Sequence, residues 1–179
     1  MKYIIAIDVQ NDFIGGTLNT LEAIDAFVKI KEYIKEQEYE NNYVIFTQDT
    51  HTFEDYKDTV EAKNVPYHCI KGEWGWKIPL SLRKLFGGNP YTIEKNTFGS
   101  FELPVKLKKD FWINPLEDEI EIFGFCTDIC VISNALILRA AFPETKITLL
   151  ANLCSGTTPI NHVNAIEVMK ANQIEVRYV

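Results

Sequence analysis

The stretch Ile120–Val131, I-E-I-F-G-F-C-T-D-I-C-V, decides how the chain reads. Its apolar positions Ile120, Ile122 and Phe123 form the short run that a fully buried parallel strand carries. Gly124 interrupts that run. Thr127 or Asp128 is then placed to cap a helix continuing through Cys130, Val131, Ala135, Leu136 and Leu138. Cys130 falls in the first turn of that helix, just past the carboxyl end of a central strand, where open α/β sheets gather their ligands. A thiol there meets the positive end of a helix dipole and free backbone N–H groups, both of which favour thiolate. The plainer account makes Cys130 a small buried hydrophobe.

Outward from this stretch the chain alternates strand and helix. Lys2–Val9 is an apolar run reading as a buried strand that ends at Asp8, and Gln10–Gly16 reads as a loop marked by Gly15-Gly16. Ile24, Phe27, Val28, Ile30, Tyr33 and Ile34 recur at helical spacing over Glu22 to Gln37. Tyr43–Thr47 is a second buried strand, followed by a polar run and by a long, weakly periodic segment from Thr52 to Lys77. A loop of that length in a compact domain is usually functional. A short helix over Ile78–Phe86 closes at Gly87-Gly88. Then come a strand at Tyr91–Glu94, a loop at Asn96–Phe101, a helix at Glu102–Lys109, strands at Ile120–Phe123 and Lys146–Leu150, a helix at Asn161–Ala171 and a last strand at Ile174–Tyr178. This alternation predicts one doubly wound α/β domain over residues 1–179, with a mostly parallel six-stranded sheet and helices on both faces.

Composition narrows the function. Hydrophobic residues make up 46% and charged residues 24% of the chain, as in ordinary globular proteins. A net charge of −7 and the lack of a basic stripe exclude a nucleic-acid partner. The Lys106–Lys109 cluster is answered at once by Asp110 and reads as a solvated helix end. No apolar run reaches the ~18 residues of a membrane span, and the N-terminus carries no signal pattern. The four cysteines, Cys69, Cys126, Cys130 and Cys154, show no C-x-x-C spacing, so a reduced, cytoplasmic protein is expected.

Three strands end in ionisable residues with no packing reason to be there: Asp8 after the first, Lys95 after the third and Cys130 after the fourth. In a parallel sheet these ends share one edge, so a nucleophile, a base and a cation can converge. Each also has a separate account, as cap, surface charge or core filler. A second set is Asp49-x-His51 with His68. Side chains repeat every two residues along a strand, so Asp49 and His51 lie on one side. Two imidazoles and a carboxylate suit Zn²⁺, Fe²⁺ or Mn²⁺. Glu61 is a candidate fourth ligand, with Glu54 and Asp55 as competitors. Short D-x-H patterns also occur without metal.

The segments I-D-V-Q-N-D-F-I-G-G (7–16), T-Q-D-T-H (47–51), H-C-I-K-G (68–72), E-K-N-T-F-G-S-F (94–101) and G-F-C-T-D-I-C-V (124–131) resemble the isochorismatase-like cysteine hydrolases, and within them the nicotinamidase/pyrazinamidase branch. The resemblance spans most of the chain in the family's order. It implies a Rossmann-like three-layer α/β/α fold and a catalytic triad of Asp8, Lys95 and Cys130. It also implies a thioester route, an oxyanion hole from the N–H groups of Cys126 and Cys130, and a cis peptide at Phe125–Cys126. Asp49, His51 and His68 match the branch's metal set, with zinc first and iron or manganese as alternatives. The implied substrate is nicotinamide or a close pyridine carboxamide, in NAD salvage. Alternatives are another small amide or an N-carbamoyl compound, or a non-catalytic binding protein on the same fold. A homo-oligomer is left open.

Two positions depart from the branch. Val65 stands where tryptophan is frequent, and the loop after Lys95 lacks a frequent tyrosine, for which Phe98 or Phe101 can substitute. Phe13 and Phe125 complete the expected pocket. Cys126 and Cys154 read as packing residues by their side chains, and Cys69 is not counted as a ligand. Trp74 and Trp76 are expected beneath the long loop or at a subunit contact, and Gln10 and Asn11 near Asp8 or a reacting water.

Overall fold

A computed structural model describes residues 1–37 and 42–179. Six strands form one sheet: β1 Lys2–Ile7, β2 Asn42–Asp49, β3 Tyr91–Lys95, β4 Glu119–Phe125, β5 Lys146–Ser155 and β6 Glu175–Arg177, in the order β3-β2-β1-β4-β5-β6. Every pairing among the described residues is parallel, so the "mostly parallel" expectation sharpens to a wholly parallel sheet. Parallel neighbours need a crossover, and a right-handed crossover places its helix on a face fixed by the direction of winding. The helices are α1 Asn11–Ile14, α2 Leu21–Lys35, α3 Phe53–Tyr56, α4 Leu80–Arg83, α5 Glu102–Lys109, α6 Ile132–Ala141 and α7 Pro159–Ala171. Helix α6 packs against both α5 and α7. Helix α2 belongs to the half of the sheet wound in the opposite sense. The order reverses between β1 and β4, and ligands collect at that switch point in such sheets.

Coverage on both faces explains the composition of the strands. Tyr3, Ile4, Ile5, Ala6 and Ile7 are all buried, as are Ile120, Ile122 and Phe123 opposite them. Helix α2 begins one residue earlier than its apolar periodicity, because Thr20 Oγ1 accepts from the Ala23 amide at 3.0 Å. Thr158 and Pro159 start α7 ahead of the expected Asn161 in the same way, with Thr158 as cap and Pro159 at the first helical position.

Gly124 does not end β4. The strand runs on to Phe125, through a register shift against β5 between Ile122 and Gly124. Gly124 has φ of +131°, and a Cβ there would stand 1.9 Å from the Ile7 carbonyl oxygen. Glycine is therefore required where β4 passes the end of β1. Strand β5 likewise extends five residues beyond the expected Leu150, to Ser155. The expected loop at Gln10–Gly16 contains the single turn α1. The long segment after β2 carries α3 and a 3₁₀ turn, Glu61–Lys63, and returns to β2 through one parallel bridge between His51 and Ile70.

Gly124→Ala should cost about 3 kcal/mol or more, as a backbone clash at a left-handed position. Gly87, at φ +65° with open space around it, is the control and should lose only about 1 kcal/mol. Urea unfolding midpoints of the two variants check this.

Candidate active site

Asp8 follows β1 in a left-handed conformation, φ +48°, which aspartate tolerates better than most residues. Thr47, from the neighbouring β2, holds it there. The Thr47 hydroxyl donates to Asp8 Oδ1 at 2.6 Å and accepts from the Asp8 amide at 3.1 Å. Lys95 ends β3 in register with Asp49 of β2. Its Nζ lies 2.6 Å from Asp8 Oδ2, 3.4 Å from Asp49 Oδ1 and 3.7 Å from Cys130 Sγ. The three residues that sequence placed on one sheet edge therefore meet, and all are buried.

The Phe125–Cys126 peptide is cis, at the position the resemblance named. It leads into a π-type turn, Thr127–Val131, rather than directly into an α-helix. The expected capping by Thr127 or Asp128 is not made. The turn starts at Cys126, whose carbonyl accepts from the Ile129 and Val131 amides, on either side of Cys130. Thr127 Oγ1 instead pairs with His162 Nδ1 at 2.8 Å, and Asp128 accepts from the Thr157 amide at 2.8 Å, both anchoring the turn to the start of α7.

Burial changes the electrostatic expectation. The Cys130 thiol is pushed well above its ordinary value by desolvation, with Lys95 opposing the shift. The helix-end argument for a resting thiolate is outweighed. Desolvation also raises Asp8, again against the pull of Lys95, which makes its carboxylate a stronger base. Burial works against the Lys95 ammonium, but Asp8, Cys130 and Asp49 together hold it charged. The cluster is thus a thiol and a basic carboxylate organised around one cation.

Asp49 links this cluster to the histidines. Its Oδ2 lies 3.1 Å from His51 Nε2 and 3.1 Å from His68 Nε2. The ligand atoms of the three side chains lie within 4.8 Å of one another. The Pro66 carbonyl, 2.9 Å from His68 Nδ1, can only accept, so that nitrogen carries the proton and a neutral His68 turns a lone pair toward Asp49. A carboxylate facing imidazole nitrogens in this way fits a divalent cation. Without one, burial opposes charge on His68, but the hydrogen bonds to Asp49 and Pro66 raise its pKa. Burial raises Asp49 and is overcome by Lys95 and the two imidazoles, leaving it far below the usual carboxylate range. Glu61 Oε1 is 3.5 Å from His68 Nε2, at the rim of the set. Neither Glu54 nor Asp55 joins the cluster, and Asp55 is engaged with Thr52 instead.

A cavity of about 240 Å³ opens between the two clusters. Asp49, Glu61, His68 and Cys130 line it, with Phe13, Val65, Phe98 and Cys126 among its other walls. Phe125, expected in the pocket, is fully buried in the core and does not line it, because the cis turn carries the chain away after that residue. Phe101 is 82% exposed, so Phe98 is the aromatic that this loop gives to the cavity. Trp74 also lies on the surface, while Trp76 is half-buried and donates to Thr50 Oγ1 at 2.9 Å.

Several residues serve the site without a sequence signal strong enough to assign them. Gln10 meets Asp8 only through its backbone, its N–H donating to the Asp8 carbonyl at 2.8 Å. Its side-chain amide clasps Asp49, donating to the Asp49 carbonyl at 2.8 Å and accepting from the Asp49 amide at 2.8 Å, while Asn11 reaches the Trp74 carbonyl. Asp12 accepts from the Cys69 amide at 2.7 Å and fixes the strand after His68. Tyr56 sets its ring edge-on to His51 and His68 and donates to the Val65 carbonyl at 3.0 Å. Asn134 on α6 donates to the carbonyls of Cys130 (2.8 Å) and Phe98 (3.1 Å) and accepts from the Ser100 amide (2.9 Å). Its signal was an amide one helical turn after Cys130 on an otherwise apolar face.

Fold and site together define a hydrolase of the doubly wound α/β class. The isochorismatase-domain model matches residues 2–178, and the chain belongs to that family. Its relatives place it in the nicotinamidase/pyrazinamidase branch. An isochorismatase family protein of Bacillus subtilis, PncA, is 31% identical over 150 residues, 75% of this chain and 76% of its own. The nicotinamidase/pyrazinamidase of Mycobacterium tuberculosis is 27% identical over 98% of both chains. Among solved structures, the nicotinamidase/pyrazinamidase PncA of Bacillus subtilis superposes with a TM-score of 0.83 at 26% identity over 98% of each chain. The pyrazinamidase of Pyrococcus horikoshii, solved with zinc, shares the fold at 0.79 and 23% identity over 99% of each.

Asn134→Leu keeps the side chain's bulk but strands three backbone groups of the Cys130 turn and the Phe98 loop. It should lower stability by about 3 kcal/mol, from the desolvation of unpaired buried groups. Urea unfolding measures the loss.

Proposed function

We propose that the protein is a metal-assisted cysteine amidase that converts nicotinamide, or a close pyridine carboxamide, to the acid and ammonia. The observation that carries this reading is the position of Lys95 Nζ, 2.6 Å from Asp8 and 3.7 Å from Cys130 Sγ, beside a cavity shared with Asp49 and His68. A non-catalytic binding protein has no use for a buried thiol, base and cation in contact. The relatives' activities support the choice of amide.

In this mechanism Asp8 takes the proton of Cys130 as Sγ attacks the amide carbon. The thiol stays neutral until a substrate is seated, and proton transfer then accompanies attack, the task of a carboxylate made more basic by burial. The carbonyl oxygen becomes an oxyanion facing the Cys126 and Cys130 amides at the cis turn. Collapse breaks the C–N bond, and Asp8 returns its proton to the departing nitrogen, releasing ammonia and leaving a thioester on Cys130. Water then enters, Asp8 accepts its proton, and the second collapse frees the acid and restores the thiol. Lys95 stays protonated throughout, holding Asp8 in place and stabilising negative charge at sulfur.

Asp49, His51 and His68 would hold the divalent cation, with Glu61 as a fourth ligand directly or through water. Zinc fits best, and iron or manganese use the same donors. Such an ion supplies a Lewis acid for the ring nitrogen of the substrate. Phe13 and Phe98 flank the ring, with Val65, Leu18 and Ile129 among the other walls.

Ammonia release from nicotinamide tests the reading. Cys130→Ala should lose about 10⁴-fold or more in kcat/KM, and Asp8→Asn about 10³-fold, as expected for loss of a general base. Chelation should abolish turnover, and added zinc should restore it. No turnover of nicotinamide by folded, zinc-loaded protein would overturn the substrate assignment. Activity untouched by chelation would overturn the metal.

A further inference from the structure

Glu61, Val65 and Phe98 form one wall of the cavity above Cys130. A second, more open cleft of about 460 Å³ lies on their far side, and Glu61, Val65 and Phe98 line both. The partition between the two is therefore one side chain thick. Its short member is Val65, a side chain that cannot span the gap as an aromatic ring would. The rest of the outer cleft comes from two short segments. The turn at Thr59, Val60 and Asn64 forms one bank, and Asn96 and Thr97 form the other. Val60 is 76% exposed.

We propose that this outer cleft is a substrate subsite, and that the protein takes ring-substituted pyridine carboxamides whose substituent passes between Val65 and Phe98. The inference rests on the amidase reading above and extends it to the substrate class. The lining specifies the substituent's chemistry. Its surface is mainly apolar, with hydroxyl and amide groups from Thr59, Asn64, Asn96 and Thr97. Among the described residues no Lys, Arg or His lines it, and its one charged member is the Glu61 carboxylate. An uncharged alkyl, alkoxy or aryl group fits such walls. A carboxylate or phosphate would meet the Glu61 carboxylate in a cleft whose described lining has no Lys, Arg or His to pair with it. Phe98 is held as a wall rather than a loose loop residue, since Asn134 binds its carbonyl and the Ser100 amide. Val65 is held by Tyr56.

The test compares kcat/KM for nicotinamide with a set of nicotinamides bearing methoxy or phenyl groups at ring positions 4, 5 and 6. A carboxylate-bearing counterpart is included at each position. At least one position should keep kcat/KM within about tenfold of nicotinamide, with the carboxylate counterpart at least about tenfold worse. Asn64→Trp, which fills the outer cleft from its rim, should lower kcat/KM for that substituted amide by about tenfold or more and leave nicotinamide within about twofold. Val60→Trp is the second variant, at an exposed position where bulk does not threaten folding. Turnover of nicotinamide with every substituted amide reduced by about 100-fold would overturn the subsite, as would equal losses for both substrates in both variants. If nicotinamide itself is not hydrolysed, the amidase reading fails on its own. The subsite is then judged by calorimetric binding of the substituted amides to Cys130→Ala, where binding weakened by Asn64→Trp supports it and no binding refutes it.

Discussion

One buried ammonium holds this site together. Lys95 Nζ touches Asp8, Asp49 and Cys130 Sγ from the end of β3, and each of those groups belongs to a different strand end. Two carboxylates this deeply buried cannot both stay ionised without a cation between them. Removing the lysine charge would leave uncompensated carboxylates, a loss of about 3–5 kcal/mol for a broken buried ion pair. The same contact serves two chemistries. Through Asp8 it reaches a basic carboxylate near the thiol. Through Asp49 it reaches the imidazoles of His51 and His68, so the thiol cluster and the candidate metal-binding cluster share one electrostatic centre.

The topology makes that meeting possible. A parallel sheet wound outward from β1 and β4 delivers all its carboxyl ends to one edge, and the reversal between those two strands leaves a crevice there. Asp8 and Cys130 come from the two strands at the reversal, and Lys95 arrives from the outermost strand, β3. Gly124 is the local condition for this arrangement, because only a residue without Cβ lets β4 pass the Ile7 carbonyl before the cis turn. The turn is then clamped from outside by Asn134, by Thr157 through Asp128 and by His162 through Thr127. These contacts position the turn, and Thr157 also lines the cavity.

Much of this was legible in the chain. The four central strands announce themselves as buried apolar runs, the largely exposed edge strands β3 and β6 were readable as short strands alternating with helices, and Asp8, Lys95 and Cys130 stood out as ionisable residues at strand ends. Asp49 and His51 were readable as a pair because side chains two residues apart on an extended chain share one side, and His68 as an imidazole on the long segment that follows. The failures have physical causes. Gly124 was taken as the end of a strand, because sequence does not distinguish a glycine that stops a strand from one that lets two backbones approach. Phe125 was assigned to the pocket, but it is the last residue of β4 and its side chain is fully buried in the core, a depth that sequence does not report. Gln10 acts through backbone groups far away in sequence, and Asn134 and Tyr56 through carbonyls that only the folded chain brings to them, so the sequence signals at these positions were too weak to assign a role. The Cys130 environment was misjudged for another reason: the helix end was visible in sequence, but the extent of burial that outweighs it was not.

Rapid quenching of the enzyme during turnover of nicotinamide, followed by peptide mass spectrometry, tests most directly the claim that Cys130 is the nucleophile of this cluster. A nicotinoyl group on the peptide containing Cys130, absent when Cys130 is alanine and absent from Cys69, Cys126 and Cys154, is the predicted result. Steady ammonia release with no acyl group trapped on Cys130, and with turnover surviving its replacement, would contradict the account.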